Sequence, residues 1–139
     1  WGCKYWATRD LRDLNYRYQS HAANYDLAPR VKDKISFIHP SENRMVHGFF
    51  TEICPTLLDD HPHWNHLFWR HPCPDMEWQR YEEETNIDFP AHGLPNLTAL
   101  LRDIGFSHIY DLHSNNVGFM DDGRFVCIDF GQMTLKDEA

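Results

Sequence analysis

Between residues 110 and 131 the chain reads YDLHSNNVGFMDDGRFVCIDFG. Two apolar runs, Val117 to Met120 and Arg124 to Ile128, flank Asp121-Asp122-Gly123. An Asp-Gly step between β-type runs specifies a tight antiparallel hairpin. The stretch therefore reads as two buried strands, yet Asp111, Asn116 and Asp129 stand at their edges. Asx residues often cap turns and end strands through local hydrogen bonds. Three oxygen-bearing side chains around one hairpin also form a candidate site for a metal-bound phosphate.

The other elements follow from periodicity. Residues 8 to 26 contain no Gly or Pro and space Leu11, Leu14, Tyr18 and Ala22 three or four apart, which predicts a helix. It must end before Leu27-Ala28-Pro29, because a residue preceding proline is biased away from helical angles. Val31 to Ile38 approaches alternation and predicts a strand, and so does the first half of residues 45 to 58. Asn96 is a suitable N-cap for a helix whose stripe is Leu97, Leu100, Leu101 and Ile104, with Gly105 as its stop. Residues 59 to 95, rich in Pro, His and Trp, show little periodicity beyond a helical turn or two over Met76 to Glu84.

Composition narrows the class. At 139 residues the chain is sized for one domain with its own core, and 24% charged with 14% aromatic residues is a globular composition. A formal charge of −8 argues against a broad nucleic-acid surface, since Arg9, Arg12 and Arg17 are interrupted by Asp10 and Asp13. Cys3, Cys54, Cys73 and Cys127 form no CxxC pair, so neither a zinc knuckle nor a disulfide framework is indicated, and a reducing, cytoplasmic setting is expected. No apolar run is long enough for a membrane span and no signal-peptide layout precedes the first helix.

Asp111 is followed five positions later by Asn116, then by the hairpin that ends in Asp129-Phe130-Gly131. This order resembles the catalytic half of the protein-kinase-like superfamily, and D-L-H-x-x-N is more similar to aminoglycoside and other atypical kinases than to protein kinases. The resemblance implies an α+β, protein-kinase-like fold with a reduced β-rich N-lobe and a truncated helical C-lobe. The expected parts are a partial N-lobe over 1–50, a hinge over 51–55, an irregular insert over 56–95 and a catalytic core over 96–139. It implies ATP and Mg2+ as cofactors, with Asn116 and Asp129 as metal ligands, Asp111 acting on an acceptor hydroxyl, and His113 in the catalytic loop where many protein kinases have lysine. Lys4 would pair the phosphates, and the backbone of Glu52, Ile53 and Cys54 would bind adenine. The acceptor is an unidentified hydroxyl of a protein or small molecule.

The pattern also departs from the family. Only three residues precede Lys4, so the glycine-rich loop is expected outside this segment or is missing, and the helix after Lys4 offers Asp13, Asn15 or Gln19 where a glutamate is usual. Ile109-Tyr110-Asp111 lacks the arginine that reads a phosphorylated activation loop, and the chain continues only eight residues past Gly131. Two alternatives follow: a pseudokinase serving as a nucleotide- or protein-binding regulatory module, and a metal-dependent hydrolase using Asp111, His113 and Asp129. The run holding His61, His63, His66, His71 and Cys73 has metal-ligating residue types without a recurrent ligand spacing. Trp64, Phe68 and Trp69 make residues 59–81 a candidate surface for a protein partner.

Overall fold

Thr8 opens the first helix because its extended backbone (φ −124°, ψ 153°) lets the hydroxyl accept the N–H of Leu11, one of the donors that a helix start leaves unpaired. The computed structural model describes residues 1–57, 97–109, 116–131 and 133–136, and it places this helix, α1, over Arg9–Ala23. The spacing extends the helix to residue 26. Instead the chain leaves it at Asn24, whose N–H returns to Ser20 O, and Asp26 takes a left-handed φ of 60°. The inward face differs as well. Tyr18 and Ala22 are buried as predicted, but Leu11 is 46% exposed, while Arg12, Asn15 and Gln19 are buried. Each of these polar groups has a partner: Arg12 Nη1 donates to Ile35 O at 3.0 Å and Asn15 Nδ2 to Leu11 O at 2.8 Å.

Strands β1 (Gly2–Trp6), β2 (Val31–Ile38) and β3 (Met45–Thr51) form one antiparallel sheet in the order β1-β3-β2. β2 has the expected bounds, and β1 places Lys4 at its middle position. The central strand needs glycine at 48, where a Cβ would stand 2.2 Å from the carbonyl oxygen of Lys4. Beside it Phe49 is fully buried, stacked on Trp6 at 5.4 Å and edge-on to Tyr16 at 5.3 Å. Those rings fasten α1 to the sheet, and burying a side chain of this size stabilises by about 1.5–3 kcal/mol.

The remaining described residues form a second cluster of elements. Strand β4 (Thr56–Leu57) pairs with β6 (Val117–Phe119), which pairs in turn with β7 (Phe125–Cys127). The β6–β7 hairpin turns where Asp121-Asp122-Gly123 predicts it, with Gly123 at φ 86° and Asp122 Oδ1 accepting from the N–H of Arg124. Helix α2 (Leu97–Asp103) buries Leu97 and Leu101 completely and is followed by Gly105 at φ 107°. Asn96, its expected cap, lies outside the described residues. Strand β5 (Phe106–Ser107) then pairs with β8 (Thr134–Leu135).

One core joins the two groups, because Tyr18 and Ala22 of α1 pack with Leu97, Leu101, Phe106 and Phe130. The architecture is α+β. The irregular insert expected over 56–95 begins instead with strand β4, ordered by its pairing with β6, and its remainder, with its histidines, its tryptophans and the turns expected over Met76 to Glu84, lies outside the described residues. No helix among the described residues is long and apolar enough to cross a membrane.

Candidate functional site

Alternation along β1 turns Lys4 away from solvent-facing Cys3 and Tyr5, toward α1 and the far end of the hairpin. Its Nζ donates to Gln19 Oε1 at 2.7 Å and, across 124 positions of sequence, to the carbonyl oxygen of Ile128. Ile128 is the residue before Asp129, so β1 and the end of the hairpin meet at one ammonium group. Burial pushes the Lys4 ammonium below the ordinary lysine range, while the negative charge of Asp129 pulls it back up. Among the three residues offered by sequence as partners of Lys4, the structure selects Gln19. Asp13 instead faces Arg12 at 2.7 Å and Lys34 at 3.3 Å, and Asn15 is engaged with Leu11.

The hairpin brings the next two residues together. Val117 sits opposite Cys127, and one step further the N–H of Ile128 donates to Asn116 O at 2.8 Å. Asn116 is therefore across the ladder from the residue that precedes Asp129. Asn116 is buried, whereas Asp129 is exposed and uses one carboxylate oxygen to accept the N–H of Gly131 at 3.0 Å. Beneath them Cys127 is buried, with its thiol donating to Asp129 O at 3.3 Å; burial pushes the thiol up to about 12. Asp111 and His113 lie outside the described residues, so the hydrolase set is represented in the described residues by Asp129 alone.

At the end of β3 the expected hinge is more constrained than its sequence suggests. The N–H of Glu52 already donates to Arg30 O at 3.0 Å, the Glu52 carboxylate accepts the N–H of Arg30 at 2.7 Å, and the Glu52 carbonyl accepts from the Thr51 hydroxyl at 3.1 Å. The peptide groups of Ile53 and Cys54 make no backbone–backbone hydrogen bond among the described residues. Cys54 Sγ donates to Phe119 O at 3.4 Å, which ties this segment to the hairpin. Arg124 adds a second tie, its Nη2 standing 3.7 Å from Glu52 and its Nε 2.8 Å from Asp122.

An open groove of about 350 Å³ lies beside this segment, lined by Trp1, Glu52, Ile53, Met120, Asp121, Asp122 and Arg124. That is at the lower end of the roughly 300–1,000 Å³ typical of small-ligand sites. A larger depression of about 690 Å³ follows the outer face of α1 and is lined by Asp10, Asp13, Arg17, His21 and Lys34 among others. Neither Lys4 nor Asn116 nor Asp129 lines it, so size alone does not mark the site.

Sequence reasoning missed the acceptors that fix this arrangement: the carbonyls of Pro29 and Ile128, because backbone groups leave no mark in a residue pattern, and the hydroxyl of Thr51, because its meeting with Gln19 depends on how α1 lies on β3. No protein-family model, no curated protein and no solved structure matches the chain. Among the described residues no group of three or more His, Cys, Asp and Glu side chains is placed to hold a metal ion. A magnesium ion asks for less: it is a hard cation that keeps several waters and binds through one or two protein oxygens plus substrate phosphates. The carboxylate of Asp129 and the amide oxygen of Asn116 fit that donor set.

Proposed function

We propose that the chain is an ATP- and magnesium-dependent phosphotransferase of protein-kinase-like fold that moves the γ-phosphoryl group to a hydroxyl acceptor. One observation carries the reading: the Lys4 ammonium is held against the carbonyl next to Asp129, which joins the first strand of the chain to the D-F-G end of the hairpin. A strand–helix–strand–strand order with β3 central, followed by the segment at 52–55 and then the hairpin, supports it further.

In this reading Lys4 binds the transferring phosphates, Asn116 and Asp129 hold magnesium, and Asp111 orients or deprotonates the acceptor. Bound magnesium supplies neutralisation of the charge that builds on the phosphate oxygens. The protein contributes position and electrostatics. The peptide groups of Ile53 and Cys54 are offered to adenine, whereas Glu52, proposed alongside them, has its N–H engaged with Arg30. One feature favours a second reading, a nucleotide-binding module without transfer: the partner of Lys4 is an amide and not a carboxylate.

Nucleotide affinity measured with and without magnesium, followed by transfer assays on wild type, Asp129→Ala and Asp111→Ala, separates the two. The enzyme reading expects magnesium-dependent ATP binding that Asp129→Ala weakens, and transfer that Asp111→Ala reduces by orders of magnitude with affinity retained. Binding without transfer in wild type selects the module, and no magnesium-dependent affinity removes the enzyme reading.

A further inference from the structure

Gln19 is the most buried polar side chain of α1, at 1% exposure, and each end of its amide meets a partner of the opposite kind. Oε1 accepts from Lys4 at 2.7 Å, while Nε2 donates to Pro29 O at 3.0 Å and to Thr51 Oγ1 at 2.7 Å. An ammonium group only donates and a peptide carbonyl only accepts, so this network admits a single orientation of the amide. It also rejects a carboxylate. Glutamate at 19 would set an oxygen against Pro29 O with no proton between them, and the Thr51 hydroxyl could meet the other oxygen as donor only by giving up its bond to Glu52 O. No carboxylate among the described residues forms an ion pair with Lys4, and Asp129 acts on it from a greater distance.

We propose that Gln19 is a positioning residue of the site, an uncharged clamp that fixes Lys4 beside the Ile128 carbonyl and leaves the ammonium charge for an incoming polyphosphate. The polyphosphate rests on the phosphotransfer reading; the clamp does not. A carboxylate in this place would neutralise part of the charge before any ligand arrived. The amide holds the lysine in place and leaves its charge unneutralised.

The test uses the full chain as wild type, Gln19→Met, Gln19→Glu, Thr51→Val and Lys4→Met. The lysine side-chain ammonium resonances are recorded by ¹⁵N NMR without ligand, with Lys4→Met identifying the Lys4 signal, and inorganic tripolyphosphate and magnesium-ATP are titrated by calorimetry. A hydrogen-bonded, partly buried ammonium gives a slowly exchanging signal. Gln19→Met is expected to lose or displace that signal and to weaken tripolyphosphate about tenfold, the scale of one hydrogen bond to a charged group. Gln19→Glu is expected to weaken it as well. An unchanged Lys4 signal in Gln19→Met overturns the clamp, and Gln19→Glu binding as tightly as wild type overturns its neutrality. If wild type binds neither polyphosphate nor magnesium-ATP, the phosphotransfer reading and the polyphosphate role fall, and the NMR signal alone decides the clamp. Should Gln19→Met fail to fold, Thr51→Val removes an acceptor of the amide; it is expected to shift the Lys4 signal, and an unmoved signal there counts against the clamp.

Discussion

Replacing Gly118 by alanine probes whether the segment at 52–57 and the hairpin are as closely joined as the contacts indicate. A Cβ at this position would stand 2.3 Å from Thr56 O, 2.7 Å from Cys54 Sγ and 3.2 Å from Leu57 Cα. Two of the three neighbours are backbone atoms, so no side-chain rotation relieves the clash and β4 must move away by about an ångström. That displacement strains the pairing of Leu57 with Gly118 and of Thr56 with Phe119, together with the Cys54 Sγ bond to Phe119 O. Overpacking of this kind costs about 1–3 kcal/mol, and each weakened hydrogen bond adds about 0.5–1.5 kcal/mol. Removing glycine from a strand returns roughly 0.5–1 kcal/mol. The net expectation is a loss of about 2–3 kcal/mol, which for a chain of this size lowers the melting temperature by roughly 6–15 °C. Thermal and urea denaturation of Gly118→Ala measures it. Gly2→Ala is the control, since its Cβ would meet Ile53 at an ordinary 3.5 Å. If the two variants melt within about 2 °C of each other, the close approach of β4 to β6 is wrong.

Two further outcomes concern the cores. Phe49→Ala removes the ring that Trp6 and Tyr16 pack against and should cost about 3–5 kcal/mol by urea unfolding; a loss below about 1 kcal/mol would show that α1 is not anchored there. The Cys127 thiol is pushed up from an ordinary 9.0 to about 12 by burial, so its folded value lies above its unfolded one. The stability it contributes is complete below pH 9 and is lost as pH rises from about 9 to about 12, and Cys127→Ala should flatten the alkaline arm of the stability curve by an amount of order 1 kcal/mol or more. Identical alkaline arms in the two proteins would contradict a protonated thiol in the core.

The sequence made local elements legible wherever a local rule decides them. β2 follows from its near-alternation, and the β6–β7 turn from Asp-Gly, because neither depends on distant partners for its form. β4 and β8, two residues each, had no such signal: they are strands only because β6 and β5 lie beside them. The face of α1 was misread for a different reason. Periodicity counts apolar residues, so it chose Leu11, whereas the inward positions Arg12, Asn15 and Gln19 are polar and satisfied by Ile35, Leu11, Lys4, Pro29 and Thr51. The nearness of Asn116 to the residue before Asp129 was legible through their spacing around the hairpin. The selection of Gln19 from three candidates was not, since it depends on which turn of α1 faces Lys4.

Tyr18 and Gln19 are consecutive residues, about 100° apart around the helix axis. The tyrosine ring stands edge-on to Phe106 at 5.7 Å in the core shared with α2, and the glutamine, on the neighbouring side of the helix, reaches Lys4. A rotation of α1 large enough to withdraw the amide would drag that ring into water, at a cost of about 1.5–3 kcal/mol before any other contact is broken. The helix thus behaves as a spindle locked by two keys set at different angles. In the phosphotransfer reading, a ligand that meets Lys4 should find it already aligned, and its association should be a single-step encounter, with no slower phase for a helix swinging into place.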